Sequence, residues 1–379
     1  MERASRRQNR SRFILAHRMT VRVLSTSWSL LVSLIPAFAQ TNLPLFLAAE
    51  SALAPPAAAA AVSQPEDSAR LAPFGSRGVH VHDPSTIVKC KDQFWVFYTG
   101  RGIPSLHSQD LLTWEPGPCL FTNPPSWIRD VLPAHRGTYF WAPDVIQNGA
   151  RYLLYYSVST FGKNTSAIGL ATNPTLDPSD PSYRWTDAGF VVRSGTNDAF
   201  NTIDPAVSRD AAGGLWLAFG SYWSGIKLLQ LDSATGLRLA PDSPLYSLAW
   251  HSSIEAAFIF YHEPYYYLFV NWGLCCRGTN STYEIRVGRS TTITGPYLAR
   301  DGKDLLTGSG TILLQTDGTF IGPGHAGIIA DGGRFWFSCH FYDGTRRGLS
   351  TLAIRPLHWD ADGWPQVLTQ TPQVRSGGP

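Results

Sequence analysis

One phrase, written five times, constrains this chain more than any other feature. A carboxylate beside Pro or a small residue, followed by an apolar run, appears first as His82-Asp83-Pro84-Ser85 and Thr86-Ile87-Val88. It returns at Trp141-Ala142-Pro143-Asp144-Val145-Ile146, at Ile203-Asp204-Pro205-Ala206-Val207 and at Ile254-Glu255-Ala256-Ala257-Phe258-Ile259. A fifth copy, Gly324-His325-Ala326-Gly327-Ile328-Ile329, carries histidine in place of the acid. From Asp83 to Asp144, Asp204, Glu255 and His325 the steps are 61, 60, 51 and 70 residues. Each copy is followed by a polar turn and an aromatic strand such as Phe94–Tyr98, Tyr152–Tyr156 or Leu215–Phe219, and then by a third strand. Several units add a short fourth, read at Leu111–Trp114 and Tyr183–Trp185. A repeat of about 60 residues built from four antiparallel strands is the signature of a propeller blade. The expectation is an all-β, five-bladed propeller over residues 74–379. A radial arrangement brings the first strand of every blade to the axis, so Asp83, Asp144, Asp204, Glu255 and His325 converge on one axial mouth. A single Asp before Pro ordinarily caps a turn; five such positions in register point to a site.

Composition agrees with a β protein: thirteen Trp, fifteen Tyr and nineteen Phe stand against 16% charged residues and two Met. Charge is unevenly placed. Residues 1–39 hold seven Arg and one acid, Glu2, and run through an apolar stretch, Val23 to Phe38, to Ala37-Phe38-Ala39. This is the order of an export signal with its cleavage site, so the mature protein is expected to be secreted or periplasmic, with no stable membrane insertion. Residues 40–73, rich in Ala and Pro, read as a linker. Residues 40–379 carry a net charge of −3 with no basic patch, which argues against nucleic acid as a partner. No Cys/His spacing suggests zinc, and adjacent Cys275 and Cys276 leave a vicinal disulfide or separate thiols open.

Several carboxylates at one mouth raise one another's pKa, a cost that glycoside hydrolysis turns to use. That reaction needs one carboxylate to activate water or attack, and one protonated carboxyl to donate to the leaving oxygen. The blade-opening motifs His82-Asp83-Pro84-Ser85, Trp141-Ala142-Pro143-Asp144, Ile203-Asp204-Pro205-Ala206 and Ser253-Ile254-Glu255-Ala256 resemble those of glycoside hydrolase family 43. Cys275-Cys276-Arg277-Gly278, Asn280-Ser281-Thr282-Tyr283 and Gly322-Pro323-Gly324-His325 sharpen the likeness to its endo-1,5-α-L-arabinanases. The resemblance implies Asp83 as the base that activates water, Glu255 as the general acid, Asp204 as the group that tunes and orients the acid, and inversion at the anomeric centre. It implies that Asp144 lines the substrate cleft and that His325, with waters, holds a calcium ion in the central channel. The implied substrate is arabinan, as in pectin side chains.

Trp141, Phe161 and Trp223 sit on or just after blade openings or loops and serve either as sugar-stacking platforms or as packing between blades. His340 reads as part of the site floor or as a packed core histidine. Asn164-Thr165-Ser166 and Asn280-Ser281-Thr282 match glycosylation acceptors. An exo-acting β-xylosidase or α-L-arabinofuranosidase on the same fold is the neighbouring alternative, and a glycan-binding propeller without hydrolytic activity is another. Exo-acting relatives often append a C-terminal β-sandwich, whereas this chain ends soon after the fifth blade, so endo action in an open groove is expected.

Overall fold

Short strands that are apolar on both faces need neighbours on both faces, and stacked blades supply them. Leu215–Phe219 is buried at every position, and Tyr265–Trp272 at all but the first. The computed structural model describes residues 78–135 and 137–368; the expected export signal (1–39) and linker (40–73) lie outside them.

The first blade comes from β1 (Val88–Cys90), β2 (Gln93–Phe97), β4 (Ser105–Ser108) and β5 (Glu115–Pro116), while the two-residue β3 (Gly100–Arg101) crosses to the second. After a short helix, α1 (Trp127–Val131), the second blade is β6 (Tyr139–Asn148), β7 (Arg151–Val158), β8 (Ser166–Asn173) and β9 (Thr186–Ser194). The third is β10 (Ala206–Arg209), β11 (Leu215–Phe219), β12 (Ile226–Leu231) and β13 (Tyr246–Ala249). The fourth is β14 (Glu255–His262), β15 (Tyr265–Trp272), β16 (Glu284–Ser290) and β17 (Thr311–Leu314). The fifth is β18 (Phe320–Asp331), β19 (Arg334–Asp343), β20 (Leu349–Trp359) and β21 (Pro365–Val367). All pairings within the blades are antiparallel between sequence neighbours, as expected of a five-bladed propeller.

The core lies between blades. Leu153, Tyr155 and Leu170 of the second blade pack with Val207, Leu217 and Phe219 of the third. Val81, Ile87, Phe94 and Val96 at the start of the ring pack with Leu352 of the fifth. Backbone pairing closes the ring there: Val81 N–H donates to Ser350 O at 3.3 Å and Leu352 N–H to Val79 O at 3.0 Å.

Two expected fourth strands are displaced. At Leu111–Trp114 the Asp110 carboxylate accepts the amides of Leu112 and Thr113, spending donors that a ladder needs, and the strand forms at Glu115–Pro116 instead. At Tyr183–Trp185 the Asn173 side chain takes the Arg184 amide, and the strand is Thr186–Ser194. The first glycosylation triplet is also corrected: Asn164 is buried, its amide donating to the carbonyls of Gly195 and Asp198, so it presents no acceptor to solvent. Cys275 and Cys276 are joined as a vicinal disulfide.

Candidate active site at the axial mouth

At the opening of each blade one residue that is not glycine adopts the left-handed backbone conformation: Asp83 (φ 49°), Ala142 (41°), Asp204 (58°), Ala256 (53°) and His325 (57°). In β6, β14 and β18 these residues sit inside breaks of the ladder register. Bulges of this kind re-aim side chains beside active sites, and a left-handed residue with a Cβ costs roughly 1–2 kcal/mol.

What holds these conformations is a ring of hydrogen bonds from blade to blade. The amide of each left-handed residue donates to a side chain of the preceding blade: Ala142 to Thr99 Oγ1 (2.8 Å), Asp204 to Ser157 Oγ (2.9 Å), Ala256 to Asp204 Oδ2 (3.3 Å) and His325 to Asn271 Oδ1 (3.1 Å). The ring closes where the Asp83 amide donates to His340 Nδ1 at 3.1 Å. His340 is fully buried, and its role is to hold the Asp83 backbone.

This geometry corrects the register of the acids. Asp83, Asp204 and His325 occupy the left-handed position itself, whereas Glu255 stands one residue before it and Asp144 two residues after. Asp144 is accordingly committed elsewhere: Oδ1 accepts the Thr86 amide and Oδ2 the Val207 amide, each at 2.8 Å. Burial pushes its pKa up to about 6 against the pull of those two amides. Asp144 thus also clamps the first three blade openings together.

Two histidines and a hydroxyl surround the Asp83 carboxylate. His82 Nδ1 is 2.8 Å from Oδ2, the Thr99 hydroxyl donates to the same oxygen at 2.6 Å, and His325 Nδ1 is 3.0 Å from Oδ1. The Tyr342 hydroxyl, 2.9 Å from His82 Nε2, also accepts the Cys276 amide at 2.7 Å. The His82 ring stacks on His340 with centroids 4.5 Å apart. Burial works to raise Asp83, but His82 and His325 outweigh it and hold the carboxyl well below the ordinary range. Glu255 goes the other way. Burial and the nearby charge of Asp204 raise it, and its Oε2 accepts a single hydroxyl, Ser221, at 2.8 Å. Asp204 is raised too, by burial and by Asp83, against the pull of His325. One carboxyl kept charged beside one kept protonated is the separation an acid and base pair requires.

His325 is pushed up to about 9, since the charge of Asp83 overcomes its burial. Its Nε2 is buried without a hydrogen-bond partner among the described residues. With its pKa raised, that nitrogen carries a proton, so it fits one bond to a cation only once the proton is lost, and calcium favours oxygen. Phe161 is 83% exposed and Trp223 42%, open enough to stack on a sugar, while Trp141 is half-buried. Trp250, which no motif marks, is 43% exposed and donates from Nε1 to Trp223 O at 3.2 Å. Also missed were Thr99, Ser157, Ser221 and Asn271. Their signal was present in the sequence, as a polar residue closing each aromatic run.

Comparison with known proteins places the chain in a family. The profile of the family described as Glycosyl hydrolases family 43 matches residues 78–365. An extracellular endo-α-(1→5)-L-arabinanase of Bacillus subtilis (strain 168) is 41% identical over 305 residues, covering 78% of this chain and 90% of that protein. An extracellular exo-α-(1→5)-L-arabinofuranosidase of Cellvibrio japonicus (strain Ueda107) is 40% identical over 312 residues, 77% of this chain and 88% of its own. Among solved structures, the Cellvibrio cellulosa α-L-arabinanase complexed with arabinohexaose superposes with a TM-score of 0.73 at 39% identity, covering 78% of this chain and 97% of that one. With a left-handed acid at the mouth of the ring, a raised partner carboxyl and a family match spanning every blade, this chain belongs to glycosyl hydrolases family 43.

Proposed function

We propose that the protein hydrolyses α-1,5-linked L-arabinofuranosyl bonds within arabinan, by endo attack and with inversion. The observation that carries this reading is the opposite displacement of two carboxyls at one mouth, Asp83 held ionised and Glu255 held protonated. Glu255 gives its proton to the glycosidic oxygen as the C1–O bond breaks, and the leaving sugar departs as an alcohol. Asp83 takes a proton from water as its oxygen bonds to C1 from the opposite face. Asp204, fixed by the Ser157 hydroxyl and receiving the Ala256 amide, holds its charge near Glu255 and keeps the acid's pKa up. His82, Thr99 and His325 orient Asp83. Three acids so disposed have no use in a module that only binds glycan.

Phe161, Trp223 and Trp141 are proposed as platforms for the furanose rings, and exposed aromatics spread over two blades favour a chain bound across several residues. His325 Nε2 would be the protein's donor to a calcium ion, with water supplying the oxygens; the ion would add positive charge beside Asp83 and Asp204. The similarity to relatives named extracellular, together with the basic and apolar residues 1–39, supports export.

Exo action is the second reading, favoured by the relative named as an exo-acting arabinofuranosidase. Linear arabinan separates the two. Endo cleavage lowers viscosity well before many reducing ends appear and releases a range of oligosaccharides. Release of a single short product with viscosity nearly unchanged would assign exo action, and no hydrolysis would reject both.

A further inference from the structure

The ring of hydrogen bonds has one exception. Thr99, Ser157, Asn271 and His340 each lie in the later part of the second strand of their blade or just past it, and receive the amide of the next blade's left-handed residue. In the third blade that place belongs to Ser221, two residues past Phe219 as Thr99 is two past Phe97. Yet the amide Ser221 would receive, that of Ala256, is taken by Asp204 Oδ2. Released from the ring, the Ser221 hydroxyl turns to Glu255 Oε2 at 2.8 Å and is itself 3% exposed. The backbone around it is fixed: Tyr222 and Trp223 are both left-handed (φ 51° and 32°), the Tyr222 amide donates to Ile254 O at 2.7 Å, and the Trp250 indole caps Trp223 O.

Resting on the reading of Glu255 as the acid, we propose that Ser221 is its positioning residue: by donating to Oε2 it leaves Oε1 as the oxygen that carries the proton and delivers it to the leaving group. The serine keeps its own proton throughout. When Oε1 gives up its proton the carboxyl becomes a carboxylate, and a hydrogen bond to a charged acceptor is stronger than one to a neutral acceptor. The bond therefore strengthens along the reaction, which is what speeds a step rather than only tightening binding. Substrate does not need to touch Ser221. The other titratable groups that act on Glu255 are Asp204, Asp83 and His325 on neighbouring blade openings, with Tyr222 and Tyr342 beside them.

Ser221→Ala, Ser221→Thr and Glu255→Gln in the full chain test this on two substrates. One is linear arabinan, whose sugar leaving group needs a proton. The other is a nitrophenyl α-1,5-arabinotrioside, whose nitrophenolate leaves without one. Ser221→Ala is expected to lower kcat on arabinan by about tenfold or more with KM little changed, and on the nitrophenyl substrate by less than about twofold. The alkaline limb of its arabinan pH profile moves to higher pH, because the lost donor stabilised the carboxylate, and Ser221→Thr restores both properties. An equal loss on the two substrates, or no loss on arabinan, overturns the role of Ser221. Glu255→Gln distinguishes the levels: if it is inactive on arabinan while Ser221→Ala behaves as wild type, only this inference falls. If Glu255→Gln cleaves arabinan at the wild-type rate, the acid assignment falls with it.

Discussion

Asp83 and Glu255 are both buried carboxyls at blade openings, yet their surroundings divide them. Two histidines and a threonine hydroxyl surround Asp83; Glu255 has one serine and a neighbouring acid. The difference has a consequence for stability. Glu255 titrates at higher pH in the folded chain than in the unfolded one, so between those two pKa values the unfolded state releases a proton that the folded state keeps. Stability conferred on the protonated carboxyl is thus present at low pH and lost as pH rises past the ordinary glutamate value of about 4.3 toward the raised folded value. Glu255→Gln removes this liability while keeping an acceptor for Ser221. The expected result is a higher Tm than wild type at pH 7 and a difference that shrinks toward pH 4, read by thermal melts across that range. Asp83, held low, works in the opposite sense: its contribution is present above the unfolded value and is lost as pH falls below it.

At the scale of the strand and its bulge, the sequence was legible in kind but not in register. The phrases at Asp83, Asp144, Asp204, Glu255 and His325 located all five openings, and four aromatic runs became second strands within a residue or two, while the fifth, Phe335–Phe337, is only the first part of β19. Which residue of each phrase turns left-handed was not legible, because Ala142 and Ala256 carry no glycine or asparagine to announce it. Asp144 was therefore grouped with acids whose oxygens remain near the reaction, when both of its own hold backbone amides. The displaced fourth strands share a cause, since Asp110 and Asn173 capture amides locally and no apolar pattern reports that. Two substitutions test the element-level account. Asp144→Ala strands the buried amides of Thr86 and Val207 and is expected to lower unfolding stability by about 2–4 kcal/mol, measured by urea denaturation. Ala142→Gly relieves a left-handed residue, keeps its amide on Thr99 and is expected to stabilise by roughly 0.5–1 kcal/mol in the same assay, although glycine also loosens the unfolded chain.

For the whole molecule, the period of about 60 residues was enough to give five blades, because each blade is one sheet that cannot bury both faces alone. Ring closure was not legible. It joins Val79–Val81 to Ser350–Leu352 across 270 positions, and nothing local marks the pairing. Closure nonetheless shapes the site, since it brings His340 of the last blade against the Asp83 amide of the first, and His325 against its carboxylate. The propeller thus brings Asp83, Glu255 and Asp204, the proposed base, acid and tuning residue, together from three blades that are far apart in sequence. Hydrolysis of linear arabinan by wild type and by Glu255→Gln, compared at pH 6–7 with folding verified by circular dichroism, tests this assembly most directly. The account predicts rapid cleavage by wild type and a loss of at least about 10²–10⁴-fold in the variant, the range set by removing a general acid. A folded Glu255→Gln variant that cleaves arabinan at the wild-type rate would contradict it.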